Sequence, residues 1–535
     1  MTMNELVQQN AELQTKNTLL ATAYKNLTSE INGLKGTIEN LDFQLKKLLL
    51  ARFGKKSEKL TEIDKQQLDM FIDLVPEMQP EEAPNTSEEI TIPLHKRKKS
   101  GRKPLPADLP RIREIHDLSE DQKICPCGCQ LRKIKEIITE KLNYIPESME
   151  IIEHIRYVYA CKDGCKKHVA TANLPPMPIP KGIATPSLLA NIIANKYEYH
   201  LPFYRQEKRW GRRDIDISRT LMINWAKECG RLIKPLIECI KSEVAAGNYI
   251  QADETPCQVL KEPGKSPQTK SYIWAYRSHV TKTTKNPLIL YEYQPTRGAI
   301  HPKAMLEDFS GFLQTDDFSS YDQLKMKKNI IGLACLDHCR RKFMDIIKVI
   351  KKTGKAHQSM SFISKLYKIE RDIKGKPFDE IKQIRQEKAK PILEAWHEWL
   401  LKTLPTCPPK GPLGRAIGYS LGVWKYLVNY LDEGFLKIST ILVENNMRPI
   451  ALGRNNWLFF DTVAGAIVGS YFYTLIENAK IYKFNPEKYL HLVLEEMPKA
   501  NTLEDVEKLL PYNISEKDLK KMNPQGIKPD PIDTS

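Results

Sequence analysis

The sequence predicts a multidomain α+β protein, and three observations indicate this class. A leucine heptad repeat opens the chain, five cysteines fall between residues 125 and 165, and runs of strand-forming residues begin at residue 248. These segments differ in composition and in hydrophobic period, so each predicts its own structural unit. A chain of 535 residues is long enough to contain several such units.

The charge of the chain favours a polyanionic partner. It has 82 Lys and Arg residues against 66 Asp and Glu residues, a formal net charge of +16, and nucleic acid is the leading candidate. No apolar run approaches the roughly 18 residues that span a bilayer, and the polar N-terminus does not resemble a secretory signal. We therefore expect a cytoplasmic protein without membrane contact, in which the cysteines serve a metal site rather than disulfides.

The N-terminal segment, residues 1–60, is predicted to be a coiled-coil dimerisation helix. Leucine recurs at every seventh position from Leu6 to Leu48, and Asn10 and Asn17 lie at the facing heptad position. A buried Asn at this position favours a two-stranded assembly. The prediction is a homodimer or higher oligomer, and the alternative is one amphipathic helix packed on its own protein.

Residues 61–115 are predicted to be a linker that ends in the basic block "HKRKKSGRKPLP". Arg102 and Lys103 are candidate contacts to DNA phosphates, because basic side chains displace counterions from the backbone. A linker that is merely solvated is the alternative.

Residues 116–180 are predicted to be a small zinc-binding domain. The stretches "CPCGC" and "CKDGC" each place two cysteines on a turn that contains glycine. Two thiolate pairs can complete a tetrahedral zinc site that stabilises a small domain. The predicted ligands are Cys125, Cys129, Cys161 and Cys165, and Cys127 is an alternative in the first pair.

Residues 181–245 are predicted to be helical. Two short helices, around "FYRQEKRW" and after Ser218, are joined by a turn that contains Gly211, Arg212 and Arg213. This arrangement resembles a helix-turn-helix, and the two arginines are candidate DNA contacts. A plain helical spacer is the alternative.

Residues 246–475 are predicted to form the catalytic domain. The runs "NYIQADETPCQVL", "SYIWAYRSHV" and "PLILYEYQ" predict three antiparallel strands. A helix near "HPKAMLEDF" follows, and then two strands at "GFLQTDDFSSYD" and "NIIGLACLDH". This order is that of a ribonuclease-H-like fold, which holds two metal ions with carboxylates from the first strand, the fourth strand and a later helix.

Asp253 and Asp316 stand at the first two of these places, each within an acidic doublet. Neighbouring strand residues point to opposite faces, so only one acid of each doublet can reach the site, either Asp253 or Glu254 and either Asp316 or Asp317. With one further carboxylate these residues can bind two Mg²⁺ ions, since hard cations prefer oxygen ligands.

The third carboxylate is predicted beyond a helical insertion at about residues 340–430. Glu444 is the candidate, in a short helix that Pro449 is expected to end. Arg448 lies one turn on, on the same face, where it could contact a phosphate or steady the carboxylate. Glu477, one helix later, is the rival. His338 could serve DNA or the core, and the core is favoured. Residues 476–535 are predicted to form a helical C-terminal segment.

Ten motifs, in order along nearly the whole chain, resemble transposases of the insertion-sequence-66 (IS66) family. Besides the cysteine cluster they are "ARFGKKSEKL", "GRKPLPADLPR", "KYEYHLPFYRQE", "DISRTLMINW", "ADETPCQVL", "LQTDDFSSYD", "CLDHCRRKF", "ENNMRPIALGRNNWLF" and "LIENAKIYKFNPEKYL".

The resemblance implies a DDE-type transposase that cuts and joins double-stranded DNA at the ends of its own element. Its three acidic residues correspond to Asp253, Asp316 and Glu444, with two Mg²⁺ as catalytic cofactors and Zn²⁺ as a structural one. Such elements commonly encode accessory proteins, which are therefore possible partners. The alternatives are a transposase-derived DNA-binding protein without catalysis and a nuclease without strand transfer.

Overall fold

The computed structural model describes residues 3–53, 89–92, 95–98, 151–154, 158–160, 169–171, 174–316, 319–350 and 354–521. The chain divides into two units. The smaller comprises Met78–Ile155 and Gln525–Ser535, and the larger comprises Met1–Glu77 and Arg156–Pro524. In the smaller unit, strands β1 (Glu89–Ile92) and β2 (His95–Lys98) form an antiparallel hairpin.

The leucine repeat lies on one long helix, α1 (Met3–Phe53). Its leucines from Leu13 to Leu48 are exposed, as are the heptad partners Tyr24 and Ile38. Near its end, Phe43 packs against the helical part of the larger unit. The helix therefore presents a stripe of apolar residues on its surface.

A second hairpin brackets the latter cysteine pair. Strands β3 (Val158–Ala160) and β4 (Val169–Thr171) are antiparallel, and Cys161 and Cys165 lie in the sequence between them.

Three helices precede the sheet: α2 (Pro186–Tyr197), α3 (Phe203–Gly211) and α4 (Arg219–Ala246). The Ser218 hydroxyl caps α4 by accepting a hydrogen bond from the Leu221 amide, at 3.2 Å. The second helix of the expected pair is 28 residues long rather than short. The reason is that its apolar face continues from Met222 to Val244 and packs into the same core as the sheet.

The central sheet agrees with the predicted order of strands. Its strands are β5 (Tyr249–Lys261), β6 (Lys270–Ser278), β7 (Ile289–Gln294), β8 (Gly311–Gln314) and β9 (Ile330–Leu333). Their spatial order is β7-β6-β5-β8-β9. The first three strands pair antiparallel, whereas β8 is parallel to β5 and β9 is parallel to β8. Helices α5 (Ile300–Met305) and α6 (Asp322–Lys325) lie in the connections.

A helical region follows β9 and has its own hydrophobic cluster. Its helices are α7 (Leu336–Ile350), α8 (Lys355–Asp372), α9 (Phe378–Ile384), α10 (Lys390–Thr403), α11 (Pro412–Gly422) and α12 (Trp424–Leu427). A π-helical turn, Arg385–Ala389, joins α9 to α10. The cluster is centred on Trp396, Phe343 and Tyr367, and Tyr249 of β5 connects it to the sheet.

Glu444 lies on α13 (Ile441–Trp457), and the expectation that Pro449 ends this helix is wrong. Pro449 lies inside the helix. A proline removes one backbone donor, but the residues on both sides of it keep the helical face, and Val443, Met447 and Ile450 are buried in the core. Tertiary packing therefore outweighs the local helix-breaking signal.

The chain then returns to the sheet and ends in helices. Strand β10 (Phe460–Thr462) pairs in parallel with the end of β5, at Val259 and Lys261. The last helices are α14 (Val463–Ile481), α15 (Pro486–Glu496), α16 (Leu503–Glu507) and α17 (Glu516–Lys521). Among the described residues, no helix combines the length and the apolar character needed to cross a membrane.

Candidate active site

Three carboxylates from distant parts of the chain line one cavity of about 220 Å³. Asp253 lies in β5, Asp316 follows β8, and Glu444 lies in the first turn of α13. Strands β5 and β8 are parallel neighbours whose last pair is Gln251 with Gln314. Asp253 and Asp316 each lie two residues beyond that pair, which places them on one face at one end of the sheet.

The two acids of the first doublet face different surroundings. Asp253 lines the cavity, whereas the Glu254 side chain is fully buried away from it. Glu254 accepts hydrogen bonds from the Tyr321 hydroxyl and from Arg297 Nε, each at 2.6 Å. Asp317, the alternative in the second doublet, lies outside the described residues.

The negative charge in the cavity favours the binding of a cation. Burial, followed by the negative charges of three neighbouring carboxylates, raises the pKa of Asp253 to about 8. Each of these effects disfavours the ionised carboxylate. A positive charge among Asp253, Asp316 and Glu444 would oppose both, and carboxylate oxygens are the ligands that Mg²⁺ prefers.

Helix α7 forms the wall opposite the sheet and contacts Glu444. Arg341 Nη2 makes an ion pair with Glu444 Oε2, and His338 Nδ1 lies 3.8 Å from Oε1. His338 and Arg341 are three residues apart, so both project from one face of α7. The hydroxyl of Thr440, four residues before Glu444 in the sequence, donates a hydrogen bond to Glu444 Oε1 at 3.0 Å. The carboxylate is thus oriented from two sides.

A second set of side chains that could bind a metal also includes Glu444. Single atoms of Cys335, His338 and Glu444 all lie within 4.8 Å of one another. Burial raises the pKa of the Cys335 thiol to about 12, and sulfur is a softer ligand than the oxygen atoms that Mg²⁺ prefers. The three carboxylates are the better candidate ligand set.

Arg297 connects the buried acid to the cavity. Its Nη2 atom lies 2.5 Å from Glu254 Oε1 and 4.0 Å from Asp316 Oδ2. The guanidinium therefore lies between the carboxylate behind the sheet and one that lines the cavity.

Glu477, the rival to Glu444, lies in the interior of α14 away from the cavity. Its residue is 4 % exposed, and it accepts hydrogen bonds from Asn446 Nδ2 at 3.1 Å and from Lys480 Nζ at 2.8 Å. Burial raises the pKa of Glu477. These contacts are those of a structural carboxylate.

The predicted DNA contacts that the structure describes lie on the surface. Arg212 and Arg213 follow α3, and Arg448 is exposed on α13. The ion pair to Glu444 comes from Arg341, on another helix. The other predicted site residues lie outside the described residues: Arg102, Lys103, Cys125, Cys127, Cys129, Cys161 and Cys165.

Sequence reasoning missed four residues around the carboxylates: Arg297, His338, Arg341 and Thr440. His338 was expected in the core, yet it lines the cavity. The helical spacing of His338 and Arg341 in "CLDHCRRKF" was an available signal. Arg297 left none, because only the folded sheet brings it beside Glu254, 43 residues earlier.

Family models match four segments of the chain. The model described as "Transposase IS66 family" matches residues 181–467, more than half of the chain. "Transposase C of IS166 homeodomain" matches residues 40–113, and "zinc-finger binding domain of transposase IS66" matches residues 122–164. "IS66 C-terminal element" matches residues 474–512. The zinc-finger match supports a structural zinc site within residues 122–164.

Similar proteins occur in Sinorhizobium fredii. Uncharacterized protein y4qI is 29% identical over 495 residues, which cover 89% of this chain and 89% of the relative. Uncharacterized protein y4jD is 29% identical over 419 residues, which cover 76% of this chain and 81% of the relative.

Proposed function

The chain belongs to the IS66 family of transposases, and from this premise we propose that it is a DNA strand transferase. It binds the ends of its own insertion element and catalyses Mg²⁺-dependent cleavage and strand transfer. The observation that carries this proposal is the cavity in which Asp253, Asp316 and Glu444 meet. DNA binding alone does not need three converging carboxylates.

The strand order supports a ribonuclease-H-like core as part of this proposal. Numbered along the chain, the five main strands lie in the order 3-2-1-4-5, with strand 2 antiparallel to both its neighbours and strands 4 and 5 parallel to strand 1. In this arrangement the first and fourth strands are adjacent, so their acids meet at one end of the sheet.

The donor set fits magnesium. It consists of carboxylate oxygens, and the pKa of Asp253 is raised by burial and then by neighbouring negative charges, both of which a bound cation would oppose. When bound, the metal supplies charge stabilisation for in-line phosphoryl displacement. Asp253, Asp316 and Glu444 are the residues that would hold it.

The surrounding side chains position these acids. Arg341 and Thr440 fix the orientation of Glu444, and Arg297 lies beside Asp316. Arg448 is exposed on the face of α13 that carries Glu444, one turn after it, where it can contact a phosphate.

We assign the recognition of DNA ends to the segments before the catalytic core. The zinc-binding segment with Cys125, Cys129, Cys161 and Cys165, the region around Arg212 and Arg213, and the basic block with Arg102 and Lys103 supply the contacts. The exposed apolar stripe of α1 pairs two protomers, so that two ends are held together.

The test is strand cleavage and joining on DNA that carries the element's own ends, with Mg²⁺ and any accessory proteins of the element. Asp253→Asn, Asp316→Asn and Glu444→Gln are expected to lose chemistry and to keep DNA binding. Glu477→Gln is the matched control, since that carboxylate lies outside the cavity. Loss of chemistry with Glu477→Gln but not with Glu444→Gln would move the third ligand to α14.

The second candidate function is DNA binding without catalysis. One observation favours it: Arg341 is ion-paired with Glu444, the third proposed metal ligand. In that case the wild-type chain binds the element ends but never cuts them under the same conditions, whereas Arg341→Ala, which frees Glu444 from the ion pair, gains cleavage.

A further inference from the structure

The face of α13 that carries Glu444 into the cavity continues outward as an exposed ridge. Arg448, Leu452 and Asn455 follow at helical spacing and are all exposed. The ridge ends at two adjacent apolar residues, Leu458 and Phe459, whose exposed fractions are 61% and 41%. A molecule that reaches Glu444 along this helix therefore meets both.

Leu458 is held in a strained backbone conformation. Its φ is 63° and its ψ is −52°, and the Phe459 amide donates to the Trp457 carbonyl at 2.8 Å. This i to i+2 hydrogen bond and these angles define a γ-turn of the rare, strained kind. A residue with a Cβ atom seldom adopts positive φ, and such strain concentrates at ligand clamps and functional sites.

Buried aromatic residues hold the turn from both sides. Trp457 precedes it and Phe460 follows it, and their ring centroids lie 4.6 Å apart. Both residues are buried, and Phe460 is also paired with Val259 of the central sheet. Because both flanks are fixed in the core, the turn projects Leu458 and Phe459 to the surface.

The surface beside this turn is basic. Arg205 Nη1 donates to the side-chain oxygen of Asn456 at 3.3 Å, which places α3 next to the end of α13. The stretch "FYRQEKRWGRR", residues 203–213, contains five basic residues and one acidic residue. Arg205, Lys208 and Arg212 are exposed. This charge is complementary to nucleic acid rather than to a second copy of the same basic surface.

We infer that Leu458 and Phe459 form an apolar wedge that enters a base step of DNA bound along α13. Apolar side chains that unstack a step and bend the duplex are an established mode of DNA binding. The inference rests on the proposed function, because it requires DNA at Glu444. Fourteen residues separate Glu444 from Leu458, about 21 Å at the helical rise. At 3.4 Å per base pair, the unstacked step lies about six base pairs from the reacting phosphate.

The test uses the full-length protein and duplexes of its element end, each carrying one 2-aminopurine at a position about three to nine base pairs from the end. Unstacking of this base raises its fluorescence. With the wild type, we expect a several-fold rise at one position near the sixth pair. Leu458→Gly is expected to return the signal to that of free DNA and Phe459→Ala to reduce it, whereas Leu503→Ala, an exposed leucine on α16, keeps it.

Glycine is the informative replacement at position 458 because it removes the wedge and tolerates positive φ. The Tm of Leu458→Gly is therefore expected to be no lower than that of the wild type, so loss of signal cannot be ascribed to unfolding.

The outcomes separate the two proposals. If the wild type binds the duplex, measured by anisotropy, but no position brightens, or Leu458→Gly brightens equally, the wedge is wrong and the proposed function stands. If the wild type does not bind the duplex, both fail. A change of oligomeric state in Leu458→Gly with unchanged fluorescence identifies a second copy as the occupant and also overturns the wedge.

Discussion

Replacing Arg297 by methionine tests the different roles of Asp253, which lines the cavity, and Glu254, which is buried and ion-paired with Arg297. The change leaves the Glu254 side chain, which is fully buried, with the hydrogen bond that it accepts from the Tyr321 hydroxyl at 2.6 Å. Breaking a buried ion pair costs about 3–5 kcal/mol. Arg297 is itself 37% exposed, so water compensates in part, and we expect a loss of about 2–3 kcal/mol.

In a domain of about 200 residues, a loss of 1 kcal/mol in the free energy of unfolding lowers the Tm by about 2 °C, so the Tm should fall by about 4–6 °C. Scanning calorimetry of the full-length chain measures the shift, and hydrogen exchange of the β5 and β6 amides localises it. The double variant Arg297→Met with Glu254→Gln should recover most of the loss, since a neutral amide needs no cation. Lys261→Met is the matched control, because its ion pair with Asp461 is exposed and contributes about 0–1 kcal/mol. A fall no larger than that of the control, or strict additivity in the double variant, refutes the reasoning.

Three further predictions concern assembly, zinc and the helical insertion. Leu27→Asp should convert the oligomer to a monomer in light scattering, whereas Leu19→Asp, exposed on the same helix but off the heptad stripe, should not. Cys125→Ser should lower the zinc content measured by mass spectrometry, whereas Cys229→Ser, a buried free thiol, should leave it unchanged. Arg385→Met should lower the free energy of unfolding of the insertion by about 3–5 kcal/mol. The reason is that this arginine makes two hydrogen bonds to one buried carboxylate and three to backbone carbonyls. Loss of helicity in a denaturant titration measures the change. Unchanged values for the three variants would contradict the respective predictions.

The sheet was predictable from sequence because its signals are local. The run "NYIQADETPCQVL" predicts a strand over residues 248–260, and the strand occupies Tyr249–Lys261. Strand-forming residues bounded by turns also indicate β6, β7 and the order that follows. The seven-residue period of α1 is visible without any tertiary context, and the helix contains it throughout its described length.

What could not be predicted depends on contacts between distant residues. Alternation along a strand shows that only one acid of the pair at Asp253 and Glu254 reaches the cavity, but it does not show which. Tyr321, 67 residues away, helps to bury Glu254 on the other side of the sheet. Likewise, Pro449 signals a helix end locally, and only the packing of α13 against the core overrides it.

Asp316 and Glu444 are far apart in sequence but lie in one site, because the two ends of the helical insertion between them lie side by side. Its two ends are hydrogen-bonded together: the Leu336 amide donates to the Ile438 carbonyl at 3.1 Å, and the Thr440 amide donates to the Cys335 thiol at 3.3 Å. Most of the apolar residues between these ends pack in a cluster of their own. The closure entropy of such a segment grows only slowly with its length, so its helices can be long without moving the site.

The first helix of the insertion is part of the site. Helix α7 begins where the two ends of the insertion meet, and His338 and Arg341 reach the cavity from it. The insertion therefore fixes Glu444 from the side that the sheet does not cover.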